Sequence, residues 1–202
     1  MSRWKSTLLA ACLASGCGGA PVRYVAPDYR SRCPPRVALL PFENESVDLV
    51  GPEMLRRMVQ ARLMEHGYEA LPLELVDEKL RGLGGGEAGA LARLEPGRVA
   101  KALEVGGLFY GTVEEFTMQN VGFVARRSVR LRVRFVEAPG GERLWEDTGK
   151  GSTGTLTLDK KAAQRIFLEG LLERGVESLF RTPLMPESKA AVQDLFSRLP
   201  RR

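Results

Sequence analysis

The segment FVARRSVRLRVRFVE, residues 123–137, alternates apolar and polar side chains over most of its length. Its apolar set comprises Phe123, Ala125, Val129, Leu131, Val133 and Phe135. Its polar set is mainly cationic and comprises Arg126, Ser128, Arg130, Arg132 and Arg134. A period of two residues is typical of a β-strand that packs one face on a core and presents the other to solvent. We therefore expect a long strand here, with Arg130 and Arg132 substantially exposed.

Two segments flank this strand and are predicted to pair with it. Residues 108–119 and 143–155 have strand character, and turn residues separate each of them from 123–137. The other predicted elements are strands at 36–42 and 68–71 and helices at 52–66, 73–81, 96–104, 159–180 and 186–199. This order predicts an α/β (α+β) fold. We expect a mixed sheet that ends in a three-stranded antiparallel meander and is covered by helices on one face.

The start of the chain has the layout of a secretory signal peptide. Arg3 and Lys5 precede an apolar run at 7–13, which is too short to span a bilayer. The run closes on Leu13-Ala14-Ser15-Gly16-Cys17, and small residues ending on a cysteine resemble the lipobox of bacterial lipoproteins. In that class the cysteine thiol, here of Cys17, is acylated and the chain is cut before it. The alternative is an ordinary signal with an incidental cysteine.

These features predict four regions and a location. They are a signal peptide at 1–16, a lipidated cysteine and flexible tether at 17–35, an α/β envelope domain at 36–182, and a C-terminal helix and tail at 183–202. The lipid would hold the protein at a membrane. Gly18, where an aspartate would favour the inner membrane, indicates the outer membrane and a periplasmic domain. Cys33 is then either a free thiol or half of an intermolecular disulfide.

The totals exclude several classes of function. The formal net charge of +5 falls by two when Arg3 and Lys5 are removed, and the remaining excess is too small to indicate a nucleic-acid partner. His66 is the only histidine and no cysteine pair accompanies it, so no metal site is expected. The sequence shows no nucleophile with a base and no cofactor loop, so we expect neither a catalytic residue nor a cofactor.

The arginines of the central strand are the candidate binding face. Arg126, Arg130, Arg132 and Arg134 would suit a phosphate, an anionic lipid, a glycan or an acidic protein. Alternatively, they pair with acidic residues of the neighbouring strands, an interpretation that we favour because such pairs are common across strands. The acidic candidates are Glu114, Glu115, Glu146 and Asp147.

Four segments carry a resemblance to a known family. They are RVALLPFENES at 36–46, LMEHGYEALPLELVDEKLRGLG at 63–84, LEPGRVAKALEVGGLFYGTV at 94–113 and VRLRVRFVEAPGGERLWEDTGKGSTG at 129–154. Together they resemble a family of bacterial lipoproteins that is similar in fold to the periplasmic domains of CsgG, of LpoB and of the TolB N-terminal region. No catalytic motif is among them.

The resemblance implies a non-enzymatic envelope protein that binds other envelope proteins, related lipoproteins or further copies of itself. We expect an interaction or assembly module, an accessory of secretion, transport or outer-membrane biogenesis. The alternative is an activator of a peptidoglycan synthase, as LpoB-like domains are. A hydrolase of envelope polymer is the third hypothesis, and it requires two carboxylates that converge in a cleft.

Overall fold

The computed structural model describes residues 23–85, 91–121, 124–138, 140–156 and 184–201. Its strands are β1 (Tyr24–Val25), β2 (Arg36–Leu39), β3 (Glu43–Asn44), β4 (Glu69–Ala70), β5 (Gly107–Val121), β6 (Val124–Glu137) and β7 (Arg143–Leu156). Its helices are α1 (Tyr29–Arg32), α2 (Gly51–Glu65), α3 (Leu73–Gly82), α4 (Pro96–Leu103) and α5 (Met185–Phe196). Within this part of the chain, no helix has the length and apolar character needed to cross a membrane.

The strands form one mixed sheet in the order β1-β7-β6-β5-β2-β4. Strands β5, β6 and β7 pair antiparallel along most of their length, while β2 runs parallel to both β4 and β5. Strand β3 also pairs with β5, in parallel. The predicted fold class, a mixed sheet that ends in a three-stranded antiparallel meander, is confirmed. The helix predicted at 159–180 and the side chain of Phe123 lie outside the described residues.

The larger core lies between the meander and the helices α2 and α5. The apolar side of β6 supplies Val129, Leu131, Val133 and Phe135, as the alternation predicts. Phe135 stacks on Phe109 of β5 with ring centroids 4.1 Å apart. In the part of the chain that the structure describes, these helices cover the apolar side of β6, and the other side of β6 carries the arginines.

A second, smaller core lies on the opposite face of the sheet. Val37 and Leu39 of β2 point into the larger core, whereas Ala38 and Leu40 contact α3 and α4. Among the described residues, the prediction that helices cover one face therefore holds for β6 and β7, but not for β2 or for the start of β5, whose Leu108 joins the smaller core. The reason is visible in the continuous apolar run of β2, which is typical of a strand buried on both sides.

Helix α5 belongs to the domain and is no separate tail. It packs on β7 at two glycines, where its backbone comes unusually close: a Cβ added to Gly151 would lie 1.9 Å from the carbonyl oxygen of Glu187. Beyond the helix, Arg198 donates to Asp147 (Nε to Oδ2, 2.6 Å) and to Asp194 (Nη1 to Oδ1, 2.6 Å). These contacts fix the C-terminal helix on the sheet.

The predicted tether is wrong in its second half. Tyr24 and Val25 form β1, which pairs with Glu146 and Trp145 of β7. Tyr29 is buried in the larger core, where its hydroxyl hydrogen-bonds to that of Tyr68. The physical reason is that these aromatic residues complete the sheet edge and core, although the surrounding Gly, Pro and Arg residues look like a linker. Residues 24–33 are therefore part of the folded domain.

Cys33 packs against the same core. Its side chain is partly buried, and its sulfur lies 3.4 Å from the hydroxyl oxygen of Tyr68. A thiol held in this way is poorly placed to react with another chain. The contacts favour the free thiol over the intermolecular disulfide.

Burial of Tyr29 makes the stability of the domain sensitive to alkaline pH. Burial, with Tyr68 and Cys33 beside it, raises the pKa of the Tyr29 phenol far above 10. The folded chain then holds this proton while the unfolded chain releases it, so the stabilising contribution is complete below about pH 10 and is lost above it.

We expect Tyr29→Phe to cost about 1 kcal/mol of unfolding free energy at neutral pH, through the lost hydrogen bond, and to make the loss of stability at alkaline pH shallower. Urea unfolding at pH 7 to 11 measures both. Tyr24→Phe is the control, and an alkaline slope unchanged by Tyr29→Phe would contradict the assignment.

Candidate interaction surface

Strand β6 presents its arginines on the face of the meander opposite the helices. The side chains of Arg126, Arg130 and Arg132 are 53%, 40% and 30% exposed, and Arg134 is also exposed. Because Arg130 and Arg132 reach solvent, the register predicted for β6 is confirmed.

Most of these arginines pair with acidic side chains of β5. Glu115 contacts both Arg126 (Oε1 to Nη2, 3.3 Å) and Arg130 (Oε2 to Nη2, 3.5 Å), and Glu114 contacts Arg132 (Oε1 to Nε, 3.0 Å). In a regular strand two consecutive residues point to opposite faces. A break in the β5–β6 register between Val113 and Glu115 lets both glutamates reach the arginine face. The interpretation that the arginines pair across strands is confirmed for these three.

The other two acidic candidates have different partners. Glu146 accepts from Arg143 (Nη1 to Oε2, 2.6 Å) and contacts Arg23 (Nε to Oε1, 3.4 Å). Asp147 lies opposite Val133 in the ladder, so it points to the helix side and pairs with Arg198. Within the described residues neither pairs with an arginine of β6, so the expectation that they neutralise the arginine face is wrong for both. Glu146 lies on the arginine face, opposite Arg134 in the ladder, but its oxygens face Arg143 and Arg23, whereas Asp147 belongs to the α5 contact.

Arg134 is the arginine that keeps its charge available. Within the described residues it forms no ion pair, and its guanidinium carbon lies 4.9 Å from the ring centroid of Tyr110. Both side chains line a groove of about 190 Å³, together with Arg132, Glu43 and Leu91. Burial raises the pKa of the Tyr110 phenol although Arg134 opposes the rise, so Tyr110 stays a neutral hydroxyl. A guanidinium held on an aromatic ring is oriented for a carboxylate or phosphate.

The loop at 45–50, between β3 and α2, borders this groove. Glu45 contacts Arg132 (Oε1 to Nη2, 3.7 Å), and the preceding Glu43 lines the groove itself. Most residues of the segment 43–50 are polar or acidic in sequence, which is typical of a solvated loop. However, the loop points two aliphatic side chains outward: Val47 is 97% exposed and Leu49 is 89% exposed.

Side-chain hydrogen bonds fix the loop in shape. The Asn44 amide donates to the Asp48 carbonyl (2.7 Å) and accepts from the Ser46 N–H (3.0 Å). The Asp48 carboxylate accepts from the N–H groups of Val50 (2.9 Å) and Gly51 (2.6 Å), at the start of α2. The Asn, Ser and Asp spacing is the signal from which such a loop is recognisable, because these side chains favour caps and turns.

Comparison with known proteins identifies the family of the chain. The profile of the family described as "Putative lipoprotein GNA1162-like" matches residues 24–180, well over half of the chain. The chain belongs to this lipoprotein family. The resemblance seen in the sequence is thereby confirmed, and the match begins at the residue where β1 begins. Among curated proteins, none matches the sequence.

Solved structures agree with the GNA1162-like assignment. The crystal structure of lipoprotein GNA1162 from Neisseria meningitidis is similar with a TM-score of 0.57 and 20% identity, over 71% of this chain and 99% of that one. At this identity the likeness shows the fold alone. Two further solved structures are too distant to support an argument. They are LpoB from Escherichia coli (TM-score 0.44, 13% identity, 78% of this chain and 82% of that one) and the PelC dodecamer from Paraburkholderia phytofirmans (TM-score 0.43, 13% identity, 59% of this chain and 72% of that one).

The single histidine of this GNA1162-like chain has a structural environment. His66 follows the last residue of α2, and its ring centroid lies 5.0 Å from that of Phe196. Burial and the nearby Arg62 lower the pKa of the imidazole. Within the described residues, no three His, Cys, Asp or Glu side chains are grouped so that they could hold a metal ion.

Proposed function

We propose that this GNA1162-like chain is a lipid-anchored, non-enzymatic interaction protein of the bacterial envelope, with its domain on the periplasmic side of the outer membrane. The support comes from the lipoprotein family and from the lipobox that ends at Cys17. Gly18, directly after the cysteine, supports the choice of membrane.

The observation that carries the proposal is the short distance between the lipid and the fold. Only five residues separate Cys17 from Arg23, after which β1 begins. At about 3.3 Å per residue, this segment spans roughly 20 Å at full extension. The domain is then held next to the membrane surface, where anchoring raises its effective concentration toward partners in the same plane. Such a reach favours partners at the outer membrane over a synthase that lies across the periplasm.

The groove offers little support for a hydrolase. Glu43 and Glu146 both line it, as the hydrolase hypothesis requires. However, each carboxylate oxygen of Glu146 faces a guanidinium, Oε2 that of Arg143 and Oε1 that of Arg23. These two ion pairs engage both oxygens of the carboxylate, which leaves neither directed at a substrate. The groove therefore suits recognition better than proton transfer.

Replacement of Cys17 tests the anchor. We expect Cys17→Ser to abolish incorporation of labelled acyl chains and to leave a folded domain that no longer fractionates with membranes as the native chain does. Cys12→Ser, in the apolar run of the signal, is the control and should be acylated normally. Acyl labelling followed by fractionation and detergent extraction measures both properties. A Cys17→Ser chain that still behaves as a membrane protein would rule out lipid anchoring.

Chemical crosslinking in intact cells tests the interaction role. We expect an adduct with one or a few envelope proteins, identified by mass spectrometry after detergent extraction, whose yield falls in the Cys17→Ser variant. A ladder of self-adducts would instead indicate a homo-oligomeric assembly. Turnover of purified envelope polymer by the soluble domain would contradict a non-enzymatic role.

A further inference from the structure

The loop at 45–50 concentrates the exposed apolar surface of the described residues. Among all described residues, five large apolar side chains are exposed. Three of the five belong to this loop: Val47, Leu49 and Val50. Single exposed apolar residues are ordinary, but a group of them at the tip of one loop marks an interaction site.

The loop holds these side chains outward by its hydrogen bonds. The Asn44 and Asp48 contacts described above fix the backbone on both sides of Val47 and Leu49. A loop that is already ordered loses little conformational entropy when it binds. The exposure is therefore a property of the folded loop, and the two side chains are presented in a defined arrangement.

The charge around the loop identifies the kind of partner. Residues 43–53 carry four carboxylates and no basic residue, in a chain whose formal net charge is +5. Glu45 pairs with Arg132 and Glu53 with Arg57, whereas Glu43 and Asp48 form no ion pair among the described residues. An acidic rim repels an anionic lipid surface, and segments that insert into membrane interfaces are instead rich in Lys and Arg. The charge is complementary to an apolar pocket rimmed by basic side chains.

A second copy of the chain is a poorer fit. The groove is a concave surface that adjoins the loop: Glu43 lines it, and Glu45 contacts its Arg132. A two-fold pairing of loop with groove would therefore bring two acidic loops side by side. Arg132 is moreover already neutralised by Glu114 and Glu45.

We propose that the loop at 45–50 is a docking element that inserts Val47 and Leu49 into an apolar, basic-rimmed pocket on another envelope protein. The inference rests on the proposed interaction role and names the chemistry of the partner. Arg134 lies beside the loop with its guanidinium free of ion pairs among the described residues, so it suits an acidic side chain at the edge of the same contact.

A photoreactive amino acid at position 47 of the full-length, lipidated chain tests the proposal in intact cells. We expect one discrete adduct with a different protein, whose crosslinked peptide carries apolar and basic residues. Leu49→Ser in the same chain should lower the adduct yield about tenfold or more, as removal of an interface anchor does. The same photoreactive residue at position 64, which replaces the exposed Met64 of α2, should give no such adduct.

Three outcomes would overturn the proposal. An adduct at twice the mass of the chain would identify a second copy as the occupant, and an adduct with lipid would identify the membrane. A third is the absence of any adduct at position 47. If chemical crosslinking still captures an envelope partner in that case, the interaction role stands and the docking loop is wrong. If neither method captures a partner while Cys17 is acylated, both proposals fail.

Discussion

Gly151→Val is expected to prevent stable folding of the domain. A Cβ at this position would lie 1.9 Å from the carbonyl oxygen of Glu187 and 2.8 Å from the backbone nitrogen of Ala191, both in α5. Main-chain atoms cannot rotate away as a side-chain tip can, so α5 must leave β7. Its departure would uncover buried apolar side chains, among them Val192, Leu195 and Phe196. At about 1.5–3 kcal/mol for each, the loss is roughly 5 kcal/mol or more.

That loss compares with a total stability of about 5–15 kcal/mol for an ordinary domain. Urea unfolding followed by circular dichroism measures it, and the variant should show a strongly lowered midpoint or no folded baseline. Gly82→Ala is the matched control, because a Cβ at Gly82 meets no atom within 4 Å. It should leave the midpoint unchanged or slightly higher. A Gly151→Val chain that unfolds like the native one would show that α5 does not rest on these glycines.

Arg56→Ala is expected to cost about 3 kcal/mol of unfolding free energy. Arg56 lies on the buried side of α2. Its guanidinium donates to both carboxylate oxygens of Asp77 in α3 (2.9 and 2.8 Å). It also donates to the carbonyl oxygen of Leu39 in β2 (2.9 Å). One side chain thus joins two helices and a central strand. Its removal leaves a buried carbonyl without this donor and a carboxylate without its cation.

The expected cost lies at the low end for a broken buried pair because Asp77 is partly exposed and regains water. Arg57→Ala is the control: Arg57 follows in the same helix but is exposed and pairs with Glu53, so its loss should change stability by about 0.5 kcal/mol or less. A combined Arg56→Met and Asp77→Leu replacement should recover part of the loss. Equal unfolding midpoints for Arg56→Ala and Arg57→Ala would contradict a stabilising role for the buried contacts of Arg56.

The sequence by itself determined the elements whose periodicity is local. The two-residue alternation of residues 124–137 fixed both the strand β6 and the side that it buries, since neighbouring side chains of a strand always point to opposite faces. Proline near the start and glycine after the end of α2 and α4 set their limits within one or two residues. The resemblance to a lipobox is likewise local, because it depends on the residues directly before Cys17.

Tertiary structure alone decided the features that join residues distant along the chain. Tyr29 enters the core because Tyr68 lies across from it, and no pattern around residue 29 records that partner. The irregular register at Glu114 decides which acidic residues neutralise the arginine face. Gly149 and Gly151 look like flexible positions in sequence, yet they are the platform on which α5 rests.

The candidate interaction surface shows the same division. The arginines of β6 were visible in the sequence, but their pairing with Glu114 and Glu115 leaves Arg134 as the available cation, and only the folded sheet shows this. Val47 and Leu49 lie in a segment that is mostly polar in sequence, and only the fold shows that their side chains point outward. The physical reason is that burial is a property of the packed chain: local periodicity sets the face to which a side chain points, whereas contacts between distant segments decide whether that face is covered.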